Sequence, residues 1–110
     1  MDGTAATRPN VVTSIFLNFD QQEAFNVQLQ EKYAAVEAAE QDCERYRMED
    51  AEIGVVAYGI SARIAQGAVD AARAEGIRAG LFRPKTLYPF PKDALNAFVA
   101  GGGKRLVCVE

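Results

Sequence analysis

From Ile53 onward the apolar residues switch between two periodicities, and that alternation constrains the fold more than any other feature. Ile53-Gly54-Val55-Val56-Ala57-Tyr58 is a continuous apolar run closed by Gly59, the pattern of a strand buried on both faces. Helical spacing follows, with Ser61 as the expected N-cap and a helix running to about Glu75. Ile64, Ala68 and Ala72, with Ala65 and Val69, form its expected inner face, while Arg63, Gln66, Asp70 and Arg73 are expected to face water. Gly76 supplies a left-handed stop. Residues 77–82 read as a second strand, Pro91 opens a helix with Leu95, Phe98 and Val99 on its apolar face, and Gly101-Gly102-Gly103 ends it. Residues 104–109 read as a third strand. Helical crossovers join parallel strands and do so right-handedly. The expected fold is therefore three-layer α/β/α with a mainly parallel sheet, the strand order being 77–82, 53–58, 104–109. The two helices are expected on opposite faces.

Two crossover helices cover such a sheet only in part. With a strand as its last element, the chain is expected to be a piece of a larger protein, truncated after the third parallel strand and lacking a self-sufficient active site. An open strand rich in Leu106, Val107 and Val109 is also expected to promote self-association, by edge pairing or by exchange of the first helix between copies.

Residues 1–19 read as a connector, punctuated by Gly3, Pro9 and Asn10. Val11, Val12, Ile15, Phe16 and Leu17 make it apolar without clean periodicity, so it is expected to be extended backbone that packs Phe16 and Phe19 on something larger. Residues 20–42 read as a helix, with Asp20 as N-cap and Glu23 completing a capping-box pair. Phe25, Leu29, Tyr33 and Val36 line one face of it, expected to dock on the parent fold or on a partner.

Several function classes drop out on composition. Histidine is absent, which removes the commonest general base, metal ligand and partner of nucleophilic Ser or Cys. Cys43 and Cys108 stand far apart with no CxxC pattern, and Cys108, within Leu106-Val107-Cys108-Val109, is expected to be a small buried hydrophobe. The net charge is −3 and the basic residues are scattered, so no stripe suited to nucleic acid exists. No apolar run is long enough for a membrane span, and the start lacks the features of a signal peptide. A cytoplasmic protein is the simplest expectation.

Two local candidates remain. Gly59 and Ser61 open a helix at the carboxyl end of a parallel strand, where backbone N–H groups and the helix dipole can hold an anion. Neither GxGxxG nor GxxxxGK[ST] accompanies them, and any strand-to-helix joint tends to use a Gly and a Ser. The second is the stiff loop 83–91, in which Arg83, Pro84, Tyr88 and Phe90 suit a protein interface. Its aromatics would serve equally well as a plug for the local core. Glu110, a carboxylate at a strand end, is a weaker third.

Arg83-Pro84-Lys85-Thr86-Leu87-Tyr88-Pro89-Phe90-Pro91, with Tyr58-Gly59-Ile60-Ser61-Ala62-Arg63-Ile64-Ala65 before it, resembles the α subunit of 2-oxoacid:ferredoxin oxidoreductases in its transketolase C-terminal-like domain. Leu29-Gln30-Glu31-Lys32-Tyr33, then Glu44-Arg45-Tyr46 and Glu49-Asp50-Ala51-Glu52, strengthen the likeness toward subunits acting on branched-chain 2-oxoacids such as 2-oxoisovalerate. Lys85 stands where an apolar residue is expected. The resemblance implies oxidative decarboxylation of a 2-oxoacid to an acyl-CoA, using thiamine diphosphate, Mg and iron–sulfur clusters and reducing ferredoxin. It places the cofactors in other domains or subunits and carries no catalytic, cofactor-binding or metal residue onto this chain. It further implies an antiparallel edge strand at 44–48, a fifth strand beyond Glu110, and residues 1–19 as the linker from a thiamine-binding domain, with 20–110 forming the helix and the partial domain. The alternative is a non-enzymatic α/β module binding a nucleotide or another anion. A receiver-like domain loses most of its support at the Ala57-Tyr58-Gly59 end of the first parallel strand, which lacks acidic Mg ligands.

Overall fold

A computed structural model describes residues 4–6 and 14–110; the readings at Gly3, Pro9, Asn10, Val11 and Val12 lie outside the described residues. Two compact units result, Met1–Ala35 and Val36–Glu110.

Helix α1 begins at Phe19 in the first unit and extends to Ala39, so its last residues belong to the second. Asn18, not Asp20, caps it: the Asn18 Oδ1 accepts the N–H groups of Asp20 and Gln21 at 2.9 and 3.2 Å. An Asn just outside the helix reaches the orphan first-turn donors, whereas Asp20 already has helical backbone. Phe16 packs on Phe25 with ring centroids 5.0 Å apart. Phe19 and Leu17, by contrast, are exposed in this chain. The apolar face is only half-buried at Phe25 and Leu29.

The second unit holds the sheet. Its strands are β1 (Cys43–Tyr46), β2 (Ile53–Ala57), β3 (Ala79–Pro84) and β4 (Arg105–Val109), and its helices are α2 (Gly59–Ala74) and α3 (Lys92–Ala100). The spatial order is β1-β3-β2-β4, parallel except for β1, which runs antiparallel to β3. The expected parallel order and the antiparallel edge strand are both present. The middle strand of the parallel set is the first in sequence. β3 starts two residues later than expected, because Ile77 and Arg78 serve the turn: Arg78 O accepts the N–H groups of Glu52 and Ile53.

Alternation along the strands separates two faces. Ile53, Val55 and Ala57 of β2, Ala79 and Leu81 of β3 and Tyr46 of β1 meet Ala62, Ala65, Val69 and Ala72 of α2. On the other face, Gly54 lies under Phe98 of α3, so the two helices do flank the sheet. α2 corrects the expected inner face at Ile64 and Ala68, which are exposed, while Ala62 is buried. The polar residues shift likewise. Asp70 accepts the Tyr46 hydroxyl at 2.9 Å and pairs with Arg47 at 3.2 Å, so it braces β1 instead of facing only water. Arg73 does more. Its guanidinium donates to the carbonyls of Ala79 at 2.6 Å and Arg47 at 2.7 Å, and to both oxygens of Asp50. That hydrogen bond, aided by the attraction of the guanidinium, holds the Asp50 carboxyl below its usual range. Cys108 is exposed on β4, because an edge strand leaves its outer side uncovered whatever its composition.

Candidate functional site

The carboxyl ends of β2 and β3 release the two segments singled out from sequence, and the fold brings one residue of each into a single cleft. Gly59 and Arg63 from the start of α2, Arg83 at the end of β3 and Glu44 of β1 line a space of about 490 Å³. Arg83 is there by register: β1 places Glu44 directly opposite it, and the guanidinium donates to Glu44 Oε2 at 3.2 Å. Both side chains are about half-exposed, so the pair contributes at most about 1 kcal/mol. Arg63, exposed at the rim, makes no ion pair among the described residues. Gly59 adopts φ +56°, a left-handed turn that lets β2 enter the helix at once.

Ser61 is not the N-cap. Tyr58 occupies that position with extended backbone and no side-chain hydrogen bond, which puts Ser61 inside the first turn, half-buried and away from the cleft. Gly59 alone therefore carries the strand-end candidate. Glu44 was missed as the partner of Arg83, and Arg63 as a residue lining the same cleft. The Glu44–Arg83 pair has a signal only in the strand register, which the sequence does not display.

The loop after β3 is built as a rigid stalk with an apolar tip. At its base, the N–H groups of Lys85 and Thr86 donate to Asp42 O, while the Asp42 N–H donates to Thr86 Oγ1 at 3.0 Å. Lys85, the unexpected residue of the motif, pairs with the Asp42 carboxylate at 3.4 Å, which explains a charge there. Pro84, Pro89 and Pro91 are buried, and Phe90 sets its ring 6.4 Å from that of Phe82, the most buried large side chain. Pro84 therefore drops out of the expected interface set and Phe90 belongs in part to the core. What the loop presents outward is Leu87 at 56% and Tyr88 at 60% exposure.

Nothing in this arrangement suits a redox or thiamine centre. Among the described residues no group of three or more His, Cys, Asp or Glu converges to hold a metal ion, and Cys43 and Cys108 lie on opposite edge strands. The donor set does not fit the Mg–diphosphate or the iron–sulfur clusters implied by the resemblance, and no step of chemistry is derived through them. No described helix is long and apolar enough to cross a membrane.

Residues 51–110, more than half of the chain, match the family pattern of pyruvate:ferredoxin oxidoreductase core domain II. The chain belongs to that family. It is 58% identical over 100 residues to ketoisovalerate oxidoreductase subunit VorB of Methanothermobacter marburgensis, an alignment covering 91% of this chain and 28% of that protein. The VorB of Methanothermobacter thermautotrophicus is 56% identical over 108 residues, 98% of this chain and 30% of the relative. The similarity to 2-oxoglutarate synthase subunit KorA of the same species is lower, 39% over 66 residues, covering 60% of this chain and 18% of KorA. The chain thus spans less than a third of the length of the curated relatives it matches. The matched residues include the whole sheet apart from β1, and with it Gly59, Arg63 and Arg83 of the cleft and the Leu87-Tyr88 tip; Glu44 lies outside them.

Proposed function

We propose that this chain is the core domain II portion of the α subunit of a ketoisovalerate oxidoreductase, in the cytoplasm. The holoenzyme would convert 2-oxoisovalerate to an acyl-CoA, reduce ferredoxin, and hold thiamine diphosphate, Mg and iron–sulfur clusters in other domains or subunits. Residues 1–19 then form the linker from the thiamine-binding domain. One observation carries the reading: identity to VorB is 58% and 56% across nearly the whole chain, against 39% over 60% of it for KorA.

In this reading the domain contributes assembly, not chemistry. Leu87 and Tyr88 are held out by a stalk of buried prolines and the Thr86–Asp42 bonds, so docking them costs little ordering of the loop. Another subunit of the complex receives them, in keeping with the weight that aromatic anchors have in interfaces.

The test uses the assembled complex purified with its full-length subunits. Ferredoxin reduction by 2-oxoisovalerate should exceed that by 2-oxoglutarate or pyruvate in kcat/KM, and preference for either of the others overturns the substrate assignment. Leu87→Ser with Tyr88→Ser should release a subunit on gel filtration while leaving the far-UV circular dichroism of the chain unchanged. A complex that stays whole would remove the tip from the interface.

A further inference from the structure

We draw no further inference here: the strongest candidate, the apolar outer flank of α2 at Ile60 and Ile64, is exposed in a chain that spans less than a third of the length of its curated relatives, and nothing in the structure shows what covers it.

Discussion

Gly80 is the position where the structure makes its sharpest demand on side-chain size. It sits in β3, buried, with the connection from β1 to β2 packed directly on it. A Cβ there would lie 2.6 Å from the Arg47 carbonyl oxygen, 2.8 Å from Met48 Sδ and 3.0 Å from Ala51 Cβ. Met48 can swing aside, but the Arg47 carbonyl cannot. It accepts a hydrogen bond from Arg73 at 2.7 Å, and Arg47 itself is held at φ +52°. Relief requires the β1–β2 connection to lift by several tenths of an ångström, stretching the Arg73 bonds. Overpacking of this kind costs roughly 1–3 kcal/mol, and the backbone partner puts Gly80→Ala in the upper half of that range. In a chain of this length, about 2–3 kcal/mol lowers Tm by roughly 8–15 °C. Urea unfolding followed by circular dichroism measures it directly. Gly67→Ala is the matched control: Gly67 lies within α2 with nothing within 4 Å of its virtual Cβ, so the change should stabilise by about 0.5–1 kcal/mol. A Gly80→Ala chain as stable as the parent would refute the packing argument.

Other consequences follow from the polar contacts. The folded-state pKa of Asp50 is depressed, so its contribution is full above the ordinary carboxylate pKa of about 4 and is lost as pH falls through the lower folded value. The urea midpoint of the parent should exceed that of Asp50→Asn at pH 7, and the gap should close as pH falls through the depressed folded value; a gap independent of pH would exclude the linkage. Arg73→Met should destabilise more than Asp50→Asn, since it also orphans the Ala79 and Arg47 carbonyls, and equal effects would show that those bonds contribute nothing. Thr86→Val removes the hydroxyl that accepts the Asp42 N–H; a loss of about 1 kcal/mol in urea unfolding is expected, with faster proteolysis confined to residues 85–91.

The order of elements and their pairing were legible because they rest on periodicity and on the handedness of crossovers, which belong to the chain itself. The antiparallel β1 came from the resemblance, since Cys43-Glu44-Arg45-Tyr46 has little apolar pattern of its own. What could not be read was set by neighbours. Ile64 fits a helical apolar stripe, but the sheet beneath α2 accepts only the narrower row Ala62, Ala65, Val69, and Ile64 falls on the flank. Cys108 looks like a core residue in Leu106-Val107-Cys108-Val109, yet sheet position rather than composition decides its burial. Ser61 and Asp20 each lay inside a helix that starts earlier than expected, at Gly59 after Tyr58 and at Phe19 after Asn18. At the candidate site, the Arg83–Phe90 loop stood out by its prolines. Its division into a buried base and an exposed Leu87-Tyr88 tip depended on Phe82 and Asp42, residues outside it.

β1 and β4, at the two sides of the described sheet, are held by different physics. β1 is short and polar, and ion pairs fasten it: Glu44 to Arg83, Arg47 to Asp70, with Asp50 and Arg73 clamping the connection that follows. Exposed pairs such as Glu44–Arg83 contribute little stability, but their charges make this edge a poor template for another strand. At the β4 side, the ionic contacts among the described residues are confined to the start of the strand, where Glu52 meets both Lys104 and Arg78. Beyond that point β4 relies on its ladder to β2 and on Leu106 near Gly54 and Phe98.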